Sequence, residues 1–284
     1  MSSSLRARLG EAERQFDCCD TTFTVRAAGP AATRAVDRAV ATAEGLEARL
    51  NAFDDASDVA TLNRTGAVES RHVAALVRRG IAYAERTDGA FDVRHGATEQ
   101  ALKAYIRGDG TDLPTLDAPA DVTVDGDRVE TDAPLDLNGL AKGYIVDRTR
   151  DALAGAGRRV FVDGGGDMTP PDGAVAIESP YGDPSPLAVL DTDRYVATSG
   201  SYRRRRGTVD HRYDPRTGRL GGRYDSVTVL AARDCTEADA LATALSATPL
   251  DDALDLVAAW DGVAALLVRD GVFHRAGGFD AHVA

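Results

Sequence analysis

Leu135-Asp-Leu-Asn-Gly-Leu-Ala-Lys-Gly-Tyr144 begins as a strand-like Leu-Asp-Leu, turns at Gly139 and enters a helix with Lys142 and Gly143 near its start. Unsatisfied N–H groups at a helix N-terminus, the positive end of its dipole and a nearby lysine together suit a pyrophosphate. The plain alternative is a surface lysine beside a glycine packed tightly on a strand. Composition weighs against it, because of 33 basic residues only Lys103 and Lys142 are lysines. The scarcity of lysine weakens the plain alternative without removing it.

Outward from this stretch, residues 140–153 read as a helix, and Arg159–Asp163 as a strand running into Gly164-Gly-Gly166. On the other side, residues 122–130 read as a hairpin turning at Asp125-Gly126, after a Gly-, Asp- and Pro-rich loop over 107–120. Toward the N-terminus, Val73, Val77, Ile81 and Ala84 mark a helix that stops at Asp88-Gly89, and Ser57 caps a short helix reaching Asn63. Val36, Ala39, Ala43, Leu46 and Leu50 mark an amphipathic helix over 31–50, and Thr21–Ala27 alternates as a strand. Toward the C-terminus come strands near 174–178, 187–191 and 225–231, helices near 237–247 and 250–259, and a hairpin around Asp270-Gly271. Strands and helices cluster rather than alternate, which predicts an α+β fold of two lobes with a cleft between them. Residues 19–284 are expected to form this domain and residues 1–18 an N-terminal extension.

The 284 residues include 45 acidic against 33 basic, a formal charge of −12, which argues against a nucleic-acid binder that must neutralise phosphates. Asp outnumbers Glu 35 to 10 and Arg outnumbers Lys 31 to 2; a GC-rich genome would explain the second ratio equally well, and the Asp excess points to a chain adapted to high salt. Screening at such salt acts within a few ångströms and removes the self-repulsion. No apolar run is long enough for a membrane span, and Met1–Gly10 lacks a signal-peptide core. Cys18, Cys19 and Cys235 make no disulfide framework, so a reducing cytoplasm is expected.

Thr236-Glu-Ala-Asp-Ala-Leu-Ala-Thr243 puts Asp239 and Thr243 at i and i+4, where carboxylate and hydroxyl could serve Mg²⁺. The competing reading is a capping box with Thr236 as N-cap. Asp163-Gly-Gly-Gly-Asp167 lets a backbone approach a ligand closely, although no dinucleotide fingerprint surrounds it. Thr198-Ser-Gly-Ser-Tyr202 reads as a small-residue turn and Arg203–Arg206 as a solvated basic run. His211, in a turn-rich segment, has the pKa range of a general base. Serine-hydrolase, zincin and zinc-ribbon motifs are missing from the sequence.

Leu50-Asn51, Ser57, Leu62-Asn63, Gly89-Ala-Phe-Asp-Val93, the Leu135–Tyr144 stretch, Gly165-Gly-Asp167, Thr198-Ser-Gly-x-Tyr202, His211-x-x-Asp-Pro-x-Thr-Gly218, Ser226-Val-Thr-Val229 and Ala238-Asp-Ala-Leu-Ala-Thr-Ala244 follow one another in this order. Their order resembles the ApbE family of flavin transferases, over about residues 19 to 268. The resemblance implies a two-lobed α+β fold with mixed or antiparallel sheets flanked by helices, and FAD in the cleft. It implies Mg²⁺ on the Asp239 and Thr243 side chains and the Gly139 carbonyl. Flavin contacts would come from Cys19, Phe53, Ala90, Phe91, Asp92, Asp136, Lys142 and Tyr213. The implied reaction moves FMN from FAD to a threonine or serine hydroxyl of an acceptor flavoprotein and releases AMP, with His211 as base. An acceptor carrying a Ser/Thr-Gly-Ala-Thr-like segment is expected, no nucleic acid is, and the chain would be a monomer or homodimer. An Mg²⁺-dependent FAD pyrophosphatase giving FMN and AMP, and a non-catalytic FAD binder, remain as alternatives.

Overall fold

A computed structural model of the chain describes residues 10–109, 111–157, 159–200, 205–206 and 209–284. In chain order its elements are β1 (Glu11–Cys18), β2 (Thr21–Ala28), α1 (Ala32–Leu50), α2 (Asp58–Thr65), β3 (Ala67–Glu69), α3 (Arg71–Arg86), α4 (Gly96–Arg107), β4 (Val122–Asp125), β5 (Arg128–Thr131) and α5 (Asn138–Ala152). There follow β6 (Arg159–Asp163), β7 (Val175–Ile177), β8 (Ala188–Leu190), β9 (Tyr195–Gly200), β10 (Arg205–Arg206), β11 (Val209–Asp210), β12 (Ser226–Ala231), α6 (Cys235–Ala247), α7 (Leu250–Ala258), β13 (Val263–Arg269) and β14 (Val272–Ala276), then a 3₁₀ turn at Phe279–His282.

Every strand pairing among the described residues is antiparallel. The central sheet has two runs, β1-β2-β6 and β14-β13-β12-β9. Met168 joins them by bridging Asp163 on one side and Val196 on the other. On one face α1 lies over β1 and β2, α6 lies over β9 and β12, and α5 is wedged between α1 and α6. That position explains why α5 buries residues all round, including Leu140, Tyr144, Ile145, Val146, Asp147 and Thr149. On the opposite face Leu190, Leu230, Leu266 and Phe279 form a second core, so β12 is buried at every position. A small sheet, β3-β5-β4, packs with α2 and α3.

The expected α+β architecture of antiparallel sheets and flanking helices is present. Ser57 caps α2 by accepting the Ala60 N–H at 2.9 Å. Glu11–Cys18, inside the expected extension, is β1 and pairs with β2 along its full length. Leu135-Asp-Leu137 is not a sheet strand. It is held extended by side-chain and loop bonds, since Asn63 both donates to and accepts from Leu135 at 2.9 Å and the Asp136 N–H donates to Val93. Thr198–Gly200 belongs to β9 rather than to a turn, whereas Ser201, Tyr202, Arg203 and Arg204 lie outside the described residues.

Among the described residues no helix is long and apolar enough to cross a membrane.

Two helical glycines separate propensity from packing. A Cβ on Gly45 in α1 meets nothing within 4 Å, whereas one on Gly143 in α5 would stand 2.5 Å from the Cys235 carbonyl oxygen. Gly45→Ala should therefore stabilise the fold by about 0.5–1 kcal/mol. Gly143→Ala should destabilise it by about 1–3 kcal/mol through overpacking. Urea midpoints of the two variants against the parent check the opposite signs.

Candidate active site

Gly139, Gly143 and Asp147 recur at four-residue spacing and so share one face of α5. That face meets α6 head to tail. A Cβ on Gly139 would lie 3.1–3.2 Å from Thr243 and 2.9 Å from Phe91, and one on Gly143 would lie 2.9 Å from Asp239 Cβ. The Asp147 carboxylate reaches the start of α6, accepting the Cys235 and Thr236 N–H groups at 2.9 Å and the Thr236 hydroxyl at 2.5 Å. The N-cap of α6 is Asp234, which accepts the Glu237 N–H at 2.9 Å. Thr236 is therefore not the cap, and Asp239 is free of the capping box in which it could have been spent.

The Gly143 N–H donates to Asp239 Oδ2 at 2.9 Å. In a regular helix this N–H faces the Gly139 carbonyl, so the bond sets the Asp239 carboxylate beside that carbonyl. Thr243 Oγ1 lies 3.4 Å from the same carbonyl oxygen. The Asp239 carboxylate is thus held at the α5–α6 seam by the Gly143 N–H, one turn from where Thr243 Oγ1 meets the Gly139 carbonyl.

Lys142 Nζ lies 2.9 Å from Asp167 Oδ2, with Asp167 fully buried. Burial pushes the Asp239 carboxyl well above its usual range and Asp167 adds to it, against the opposing pull of Lys142 and the Gly143 N–H. Burial pulls Lys142 down, but the charges of Asp167 and Asp239 outweigh it and hold the ammonium protonated. Two carboxylates facing one ammonium leave the cluster an acid in excess. The charge of such a buried carboxylate can be answered by a cation as well as by a proton, and the all-oxygen donor set of Gly139, Asp239 and Thr243 would suit a hard one such as Mg²⁺.

A second group lies toward the rim. The loop from Asp210 to Gly222 is fixed by Arg212 on Asp210, 2.7 Å, and by Arg216 on Asp214, 3.0 Å. Its Tyr213 hydroxyl donates to the His95 carbonyl at 3.3 Å, and Arg216 packs against Gly89. His211 stands two residues before Tyr213. Asp136 accepts the Asn138 N–H at 3.0 Å and lies 3.8 Å from Lys103, which pairs with Glu99 at 2.8 Å. Phe53, 55% exposed, places its ring 5.4 Å from Lys103 Nζ. Ala90 and Phe91 are buried, and the Asp92 carboxylate is gripped by Arg94 at 2.7 Å.

Of the residues picked out by sequence, the structure links Gly139, Phe91, Asp239, Thr243 and Lys142 around α5 and α6, and Phe53 with Asp136 through Lys103. Cys19 makes its contacts elsewhere, to Cys18 and Glu47. The close approach allowed by Gly164 and Gly165 is to this chain's own Phe23 and Thr21. Asp167, Asp147, Glu99 and Lys103 escaped sequence reading as site residues, although the scarcity of lysine pointed to Lys103. A cavity of about 460 Å³ on the outer side of β1, β2 and β6 is lined by none of these residues.

Burial pushes the Glu99 carboxyl up to about 7; Asp136 adds to the rise and Lys103 opposes it. The folded chain thus holds this proton more tightly than the unfolded chain, whose carboxyl titrates near 4.5. The stability it lends is complete below that value and is lost as pH rises through 7. Relative to Glu99→Gln, the parent should lose on the order of 2–3 kcal/mol between acid and mildly alkaline pH. Urea unfolding at matched salt across that range reads the difference.

The ApbE family model matches residues 19–267. An FAD:protein FMN transferase of Treponema pallidum (strain Nichols) is 30% identical over 266 residues, covering 77% of this chain and 72% of that protein. The ApbE protein of Thermotoga maritima superposes with a TM-score of 0.81 at 24% identity, covering 96% of this chain and 99% of that one. The apo flavinyl transferase ApbE of Pseudomonas stutzeri superposes at 0.80 with 26% identity, covering 96% and 98%. The flavin transferase ApbE of Vibrio cholerae superposes at 0.77 with 23% identity, covering 96% and 99%. With its fold, its ordered motifs and the family match over residues 19–267 in agreement, the chain belongs to the ApbE family.

Proposed function

We propose that the chain transfers the FMN moiety of FAD to a threonine or serine hydroxyl of an acceptor flavoprotein, with release of AMP. The observation that carries this reading is the placing of the Gly139, Asp239 and Thr243 oxygens along the α5–α6 seam beside Lys142, in a chain of the ApbE family. The activity for which the Treponema relative is named supports the same reaction. Gly139, Asp239 and Thr243 would hold Mg²⁺, which when bound supplies charge neutralisation at the diphosphate of the substrate.

Lys142 adds a fixed positive charge near that diphosphate, and Asp167 holds it in one position. Phe53, Phe91 and Tyr213 offer aromatic surface to the isoalloxazine ring. His211, carried on the loop that Arg212 and Arg216 fix, takes the proton of the acceptor hydroxyl as its oxygen bonds to the FMN-side phosphorus. The bond from that phosphorus to the AMP oxygen breaks, and the proton passes from the imidazole to solvent. A neutral hydroxyl is a poor nucleophile, so this proton transfer is the step for which the chain must supply a base. A small-residue acceptor segment of the Ser/Thr-Gly-Ala-Thr type lets its hydroxyl approach without a bulky neighbour.

With Mg²⁺, FAD and such an acceptor at high salt, intact mass should show one added FMN and an equal release of AMP. Asp239→Asn should lower the rate about a hundredfold or more. His211→Ala should lower it about 10²- to 10⁴-fold while FAD binding is kept. A full-rate His211→Ala enzyme would remove His211 from the base role. AMP and free FMN with an unmodified acceptor would assign hydrolysis instead.

A further inference from the structure

Cys18 ends β1 and Cys19 begins the two-residue turn into β2. Neighbouring side chains on a strand point to opposite faces, yet the two sulfurs lie 3.7 Å apart. Cys19 and Asp20 both take the left-handed conformation, φ 55° and 56°, as a type I′ hairpin turn requires. That twist brings the Cys19 side chain back over Cys18. Glu47 of α1 reaches the same point, where its Oε1 accepts the Cys19 N–H at 2.6 Å. A Glu47 carboxylate oxygen and the two sulfurs all lie within 4.8 Å of one another.

The sulfur separation discriminates between two uses of such a pair. A disulfide needs about 2.05 Å between sulfurs. Two thiolates each about 2.3 Å from one tetrahedral Zn²⁺ stand about 3.8 Å apart. The observed 3.7 Å is that of two reduced thiols in contact and lies close to the second arrangement, not the first. Cys18 is buried while Cys19 and Glu47 are half-buried, so the cluster meets solvent on the Cys19 side.

We propose that Cys18, Cys19 and Glu47 form a site for a thiophilic divalent cation of the Zn²⁺ class, with water as fourth ligand. Binding forms two metal–sulfur bonds and one metal–oxygen bond and releases the two thiol protons to solvent, with no change of oxidation state. The donor set also separates this site from the α5–α6 seam. Thiolates select a borderline-soft ion, whereas the Gly139, Asp239 and Thr243 oxygens suit a hard one. The bound ion ties the β1–β2 turn to α1.

The test uses the reduced, metal-stripped full chain. Titration with Co²⁺ should raise a thiolate-to-cobalt charge-transfer band that saturates at equimolar metal and disappears on adding Zn²⁺. Peptide-resolved alkylation should show Zn²⁺, but not Mg²⁺, slowing modification of Cys19 about tenfold or more, with buried Cys235 as reference. Cys18→Ser should abolish the band, and Glu47→Gln should weaken Co²⁺ binding about tenfold or more. No charge-transfer band in the parent, or Cys19 alkylation equal with and without Zn²⁺, overturns the proposal. Both of those readings come from the unmodified chain, so a variant that fails to fold does not blunt them.

Discussion

The close antiparallel contact of α5 with α6 is the constraint on which the rest depends, and it exists because Gly139 and Gly143 put no side chain between the helices. A glycine in a helix interior costs about 0.5–1 kcal/mol relative to alanine. The contact offsets that cost in three ways. It allows Asp147 to satisfy N–H groups at the start of α6, it lets Gly143 donate to Asp239, and it seals α5 between α1 and α6. The same approach sets a backbone carbonyl, a carboxylate and a hydroxyl along one seam. Packing geometry and candidate chemistry are thus one feature seen at two scales.

Two clusters of like composition flank this seam. Lys142 faces Asp167 and Asp239, and Lys103 faces Glu99 and Asp136. Each sets one ammonium against two carboxylates in a poorly hydrated place. Burying charge without full compensation works against folding, and such groups concentrate where a ligand completes the balance. Asp147 differs, because hydrogen bonds from α6 answer its charge, and its role is structural.

The parts legible in the sequence were those written in periodicity or turn chemistry. The apolar stripe of α1, the cap of α2 and the hairpins at Gly126 and Gly271 fall where pattern and turn residues place them. Helix α4 was not legible because the face it buries carries Thr98 and Glu99 beside Leu102, so no apolar stripe announces it. Strand β9 reads as a turn because Thr198, Ser199 and Gly200 are small and polar; Thr198 instead meets the Thr228 hydroxyl across the sheet at 3.0 Å. Strand β1 is masked by its charged, half-exposed residues. Gly139, Asp239 and Thr243 were picked out through family motifs, whereas Asp147, which answers the start of α6, comes from contacts that no local pattern encodes.

The confinement of lysine carries a further consequence. Outside Lys103 and Lys142 the side-chain cations of this chain are guanidinium groups, which stay protonated and are poor nucleophiles at neutral pH. Both ε-amines are largely screened, with side chains 14% and 27% exposed. Acylating or carbamylating agents that modify most proteins at scattered surface lysines meet their lysine targets here only in the two clusters beside the seam. Lys142 is further held protonated by Asp167 and Asp239, so its amine is guarded by charge as well as by burial.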